Sequence, residues 1–294
     1  MERNPSRATL GAFVAAVVIG GTNFLAVRYS NEDLAPLFGA TVRFATAALF
    51  LLAVTRLRRL PLPHGAEAVG AGIWGLMGFG LAYGLLYYAL VGLSAGTTSV
   101  IVAASPLVTL ALAVVHGQER FSLPGILGGC LAIAGIGLVS IRSLGGDLSP
   151  RYLIAALLAV VAIAESSVVI KGFPQAHPVT TNAVGMGIGA LFLAPTSLVL
   201  GEAWTMPRLG RTWLVLVYLV VVGSVGLFGL FLFVIKTWTA SASVYALALM
   251  PVVAVSLGTV IADEPVTWEL LAGTALVIAA VYVAVLSGRR QQVT

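Results

Sequence analysis

The 294-residue chain is 59% hydrophobic and only 9% charged, with a mean hydropathy of +1.03. A soluble domain carries about 25% charged residues, so a water-soluble fold is excluded, and the net charge of +5 has no basic array behind it to bind nucleic acid. One cysteine, Cys130, rules out an intrachain disulfide and any cysteine-based metal site, and His64, His116 and His177 never form a close pair; no cofactor or metal site is expected.

Turn signals and charges cut the chain into ten apolar segments of spanning length, at about 8–27, 36–55, 68–92, 95–115, 122–142, 150–171, 179–200, 212–235, 239–261 and 267–287. The first has a charged lead but no A-x-A cleavage site, and reads as an uncleaved helix carrying the polar Thr22-Asn23. The second holds Arg43, one of two charges placed well inside a span. Three roles fit Arg43: snorkelling to the interface, capping carbonyls of a neighbouring helix, or binding a substrate carboxylate; it is assigned here as a structural charge. The third segment is glycine-rich, and places Tyr83 and Tyr87 on one face near mid-span, where a phenolic hydroxyl needs a partner.

In the fourth segment Ser99 is a candidate cavity residue, and Thr98, Ser105 and Thr109 share a face. Pro106 removes the helical bond to the Val102 carbonyl, as Pro251 does to Leu247 in the ninth, so both are expected to bend their helices as gates, cavity walls or static kinks. The sixth segment contains Glu165-Ser166-Ser167, the most polar stretch of any span. A structural hydrogen bond, contact with a substrate amino group and carriage of a coupling proton all fit Glu165. Phe228 in the eighth segment, Trp238 and Tyr245 complete the candidate cavity set, with Asn23, Tyr83, Tyr87, Ser99, Glu165 and Ser166.

A repeat runs through these segments. Glu119 and Glu264 lie 145 residues apart, each 13 after a buried proline, and the same offset aligns Gly78 with Gly223, Gly84 with Gly229 and Gly128 with Gly273. The expected fold is therefore an all-α integral membrane protein of ten transmembrane helices in two five-helix repeats, at 1–143 and 144–294. An odd number of spans per repeat inverts the second copy, the usual basis of alternating access. Ten Lys and Arg residues fall on the side of both termini and five on the other, which places the termini in the cytoplasm. Glu119 and Glu264 sit at helix ends, and read as loop or helix-cap anchors.

No Gly-x-Ser-x-Gly and no His-Glu-x-x-His occurs within a span, and no nucleotide-binding loop is present, so neither an enzyme nor direct ATP coupling is expected. The stretch Ser241–Gly273, with Pro251, Leu257-Gly258 and Glu264-Pro265, resembles the repeat unit of EamA-type carriers of the drug/metabolite transporter superfamily; Gly96–Gly128, with Pro106 and Glu119, resembles it too. Arg43 and Thr22-Asn23-Phe24 also fit that pattern, and the chain is most similar to the YddG amino-acid exporter group. The resemblance implies a multi-pass protein of the bacterial cytoplasmic membrane, with a central cavity shaped mainly by helices 1, 3, 4, 6, 8 and 9. It also implies a small-molecule substrate, neutral or aromatic amino acids or sometimes cationic drugs, with lipids as the surrounding partner and a proton as a permissible coupling ion. A membrane-complex subunit without transport is the competing class.

Overall fold

A computed structural model of the chain describes residues 6–118, 123–145, 150–174, 176–237 and 240–291, without the side chains of 141–145, 231–232, 235–237, 240–245 and 284–291. Among the described residues the chain is all helix and turn. Ten helices follow one another: α1 Arg7–Ser30, α2 Pro36–Leu57, α3 Ala66–Gly92, α4 Ala95–Val115, α5 Leu123–Gly145, α6 Pro150–Ile170, α7 Pro178–Val199, α8 210–237, α9 Ala240–Ala262 and α10 Trp268–Gln291. A chain in lipid must satisfy its backbone within each segment, which leaves helices as the solution for such apolar runs. Their starts carry local signals: Ser6 and Ser94 cap α1 and α4 by accepting from the N–H of Thr9 and Thr97, and Pro36 and Pro178 open α2 and α7. Eight of the helices are long and apolar enough to cross a membrane, and the outside of the bundle is apolar, with Leu49, Ile133, Leu214 and Val260 all more than two-thirds exposed.

The packing repeats under exchange of each helix with the one five places on. The equivalent helices α2 and α7 lie against each other, as do α5 and α10, while α1 on α9 matches α6 on α4 and α3 on α6 matches α8 on α1. Small residues permit the closest approaches. A methyl group on Gly75 of α3 would stand 2.5 Å from the Gly185 Cα of α7, and one on Gly135 of α5 only 2.8 Å from the Gly273 carbonyl of α10.

Two equivalent helices share an unusual winding. α3 over Gly75–Ala82 and α8 over Tyr218–Gly226 adopt π-helical turns, which shift hydrogen bonds to the fifth residue and free carbonyls from the regular ladder. The prolines behave less alike than expected. α4 breaks at Ala104 beside Pro106, and the Ser105 hydroxyl donates to the orphaned Val102 carbonyl at 2.6 Å. α9 continues through Pro251, where the equivalent residue is Met250, which has no hydroxyl to offer.

Candidate functional site

The π turn of α8 sits against α1 and α2, and that contact is polar. The Gly223 carbonyl accepts from Asn23 Nδ2 at 3.1 Å and from Arg43 Nη2 at 3.0 Å, while Arg43 Nε donates to Ser224 Oγ at 3.0 Å. The Ser224 hydroxyl in turn donates to the Leu219 carbonyl five residues back, along the π winding. Arg43 is therefore buried rather than snorkelling, with its guanidinium 5.1 Å from the Phe44 ring centre and 5.3 Å from that of Tyr83. Among the described residues no carboxylate pairs with it.

Beside this contact lies a cavity of ≈ 240 Å³. Its wall comes from α1 (Asn23, Phe24), α3 (Trp74, Phe79, Tyr83, Tyr87), α4 (Val102, Ser105), α6 (Ser166, Ser167), α8 (Phe228) and α9 (Leu247, Met250), with Arg43 of α2 among them. Phe79 packs edge-on against Phe44, Trp74 and Phe228 and stacks on Tyr83. The result is a mostly apolar, aromatic chamber with a few polar atoms, the usual composition of a small-molecule site.

Of the candidate residues, Asn23, Tyr83, Tyr87, Ser166 and Phe228 line this cavity. Two do not. Glu165 precedes Ser166 by one residue, a turn of about 100° on the helix, so its carboxylate leaves the cavity and meets His116 Nε2 at 3.1 Å. Ser99 is buried on another face of α4 and donates to its own helix at the Gly96 carbonyl, 2.7 Å away. Trp238 and Glu119 lie outside the described residues, as does the side chain of Tyr245. Trp74, Phe79 and Met250 were not singled out from the sequence; lone apolar residues in apolar spans carry no signal there.

One end of the bundle is cross-linked by carboxylates that cap helix starts across the two halves. Glu264 accepts from the N–H groups of Ala95 and Gly96 at 2.9 and 3.2 Å and pairs with Arg28; Glu202 accepts from Leu37 and Phe38 at 3.1 and 2.9 Å. Asp33 accepts from Arg208 and Leu209 at 2.9 and 3.0 Å ahead of α8, and the Leu209 N–H is the main cause holding its carboxyl below the usual carboxylate range. Each sets negative charge against exposed N–H groups at or near a helix start, where the dipole favours it. At the opposite end of α4, the His116–Glu165 pair and a Gln118 amide bond to the Val168 carbonyl join α4 to α6.

A cavity between duplicated helical halves is the architecture of a carrier, and the comparison with known proteins decides the family. The EamA-like transporter family matches residues 7–141 and 150–286. The chain belongs to this family. It is 29% identical over 86% of its length to the uncharacterized inner membrane transporter YedA of Escherichia coli (strain K12), covering 83% of that protein. It is also 26% identical over 93% of each chain to a protein of Salmonella typhimurium (strain LT2) named as a probable amino-acid metabolite efflux pump. A solved structure described as "Crystal structure of protein" superposes with a TM-score of 0.69 over 98% of this chain and 99% of its own, at 23% identity, and shares the fold. The chain is thus a membrane-embedded transporter of the EamA type.

Proposed function

We propose that this EamA-type transporter exports neutral or aromatic amino acids, or closely related metabolites, across the cytoplasmic membrane by alternating access. The observation that supports it most is the ≈ 240 Å³ aromatic cavity between the two halves, of a size for one amino acid and without a carboxylate in its wall. With the Arg43 guanidinium in its wall and no carboxylate there, the chamber disfavours a net cation, while it can offset the carboxylate of a zwitterion and hold an apolar ring. The relative named as an amino-acid metabolite efflux pump agrees with this choice. We read the Glu264 end as the closed gate, and the excess of Lys and Arg on the side of the termini supports an outer position for it.

The runner-up, export of cationic drugs, asks for an acidic group at the cavity; Glu165 is instead turned toward His116 and the charge in the wall is the Arg43 guanidinium. Proton coupling belongs to the proposal only through that His116–Glu165 pair. The test is efflux from proteoliposomes loaded with a panel of amino acids and one quaternary ammonium compound, with and without a pH gradient. Efflux of aromatic and neutral amino acids is the expected result. Efflux of the ammonium compound alone would replace the reading with drug export, and no flux of any solute would leave the complex-subunit class standing.

A further inference from the structure

Three residues of the cavity wall each carry a buried polar atom with no hydrogen-bond partner among the described residues: Asn23 Oδ1, Arg43 Nη1 and Tyr87 Oη. They come from three consecutive helices, and Arg43 and Tyr87 are both fully buried. The Asn23 and Arg43 side chains are neighbours, because Asn23 Nδ2 and Arg43 Nη2 donate to the same Gly223 carbonyl. The Tyr87 hydroxyl stands beside the same guanidinium without meeting hydrogen-bond geometry.

An orphaned polar atom inside a membrane protein is costly, and a guanidinium without a counter-ion more so. Evolution keeps such groups where something else completes them. Arg43 has spent Nε and Nη2 on α8, so one donor nitrogen of a permanent cation remains. Beside it, the Tyr87 hydroxyl is a second donor, and Asn23, which has one amide N–H on Gly223, has its oxygen unpaired as an acceptor. A cation and a hydroxyl that donate match a carboxylate; an adjacent amide oxygen that accepts matches an ammonium.

We propose that Arg43 Nη1 and the Tyr87 hydroxyl bind the carboxylate, and Asn23 Oδ1 the ammonium, of a zwitterionic α-amino acid, whose side chain occupies the aromatic chamber. This rests on the amino-acid reading above and deepens it: the first half of the chain holds the head group. Arg43 thereby has two faces, one tying α2 to α8 and one turned to the substrate. The equivalent residues of the second half, Val168 for Asn23 and Ile188 for Arg43, have no polar group, so there is one head-group site and not two.

The test uses three matched probes on the purified full chain: L-phenylalanine, phenethylamine, which lacks the carboxylate, and 3-phenylpropionate, which lacks the ammonium. Binding is read by isothermal titration or by shift of the melting temperature. Phenethylamine should bind at least about tenfold more weakly than phenylalanine, a difference near the worth of one charge-assisted bond. Because Arg43→Met and Asn23→Ala each also remove a tie to α8 and can impair folding, Tyr87→Phe carries the assignment, and Asn23→Ala is read only against the pattern across the three probes. Tyr87→Phe should weaken phenylalanine and 3-phenylpropionate by about three- to tenfold and leave phenethylamine unchanged. Asn23→Ala should weaken phenylalanine and phenethylamine and spare 3-phenylpropionate. Phenethylamine binding as tightly as phenylalanine, or Tyr87→Phe acting equally on all three probes, would overturn the proposal and is what occupancy by water alone predicts. Carboxylate-dependent binding of 3-phenylpropionate without any amino-acid flux would retain the carboxylate site while removing the export reading; no binding of any carboxylate would overturn the site.

Discussion

The two π-helical turns occupy the same place in the duplicated fold and meet opposite chemistry. In α8 the turn presents the Gly223 carbonyl and Ser224 hydroxyl to Asn23 and Arg43, across a polar seam between halves. In α3 the turn meets α7 through Gly75 on Gly185 and Phe79 on Gly189, and Gly80 sits under Phe192; nothing polar is exchanged there. Duplication thus preserved winding and packing while the polar groups went to one copy. The winding of α3 and α8 and the helix contacts are shared by both halves, while the break in α4 is not repeated in α9. Recognition of a single asymmetric substrate, as proposed above, would use the break in symmetry at Asn23 and Arg43.

The comparison is tested most sharply by placing one methyl group at two equivalent positions. A Cβ on Gly223 would fall on the Asn23 side-chain amide, whereas on Gly78 it would meet the Ser166 hydroxyl at an ordinary 3.4 Å. Displacing Asn23 breaks its bond and overpacks the seam, a cost of about 1–3 kcal/mol. Gly223→Ala should therefore lower transport by about tenfold or more at equal amounts of folded protein, and Gly78→Ala by no more than about twofold. Equal loss in both would show that the two turns matter only for packing.

The gate at the Glu264 end comes next. Glu264→Gln keeps the side chain's reach but has a single acceptor oxygen, so it retains at most one of the bonds from Ala95 and Gly96 and loses the ion pair with Arg28. A single cysteine at position 96, in a background without Cys130, should then be labelled several-fold faster by a membrane-impermeant maleimide. Unchanged labelling would mean the carboxylate is a static cap.

A smaller effect separates the two prolines. Ser105→Ala removes the donor that satisfies the Val102 carbonyl, and should destabilise the protein by about 0.6–1 kcal/mol in reversible unfolding. Met250→Ala, at the equivalent position, removes no such bond and should change only packing against Gly20. The smallest effect is at Asp33, which is half-buried. Its carboxyl is depressed below the usual range by the Leu209 and Arg208 N–H groups and Thr212, so the stability it gives is present above that range and is lost as pH falls through the depressed value. Asp33→Asn should lower the melting temperature slightly at pH 7, with the difference from wild type closing in acid, below about pH 3.9.

The segments, the duplication and the family were legible because long apolar runs and a fixed offset of glycines, prolines and glutamates survive without any knowledge of packing. The ten observed helices start within a few residues of the predicted ones. The cavity was legible through Asn23, Tyr83, Tyr87, Ser166 and Phe228, because a polar or aromatic group at mid-span needs a reason. It was not legible where one residue of helical rotation decides the outcome, as between Glu165 and Ser166, nor where an all-apolar residue such as Met250 forms the wall. The π turns leave no mark in composition, and they fix which carbonyl Arg43 and Asn23 can reach.

In the alternating access proposed above, a single chamber between inverted halves opens first to one face and then to the other. The direct measurement is labelling of Ser166→Cys, at the cavity wall and in a Cys130→Ser background, by an impermeant maleimide added to right-side-out or inside-out vesicles. The account predicts reaction from both faces, slowed from both by L-phenylalanine. Reaction from one face only, at any substrate concentration, would contradict it.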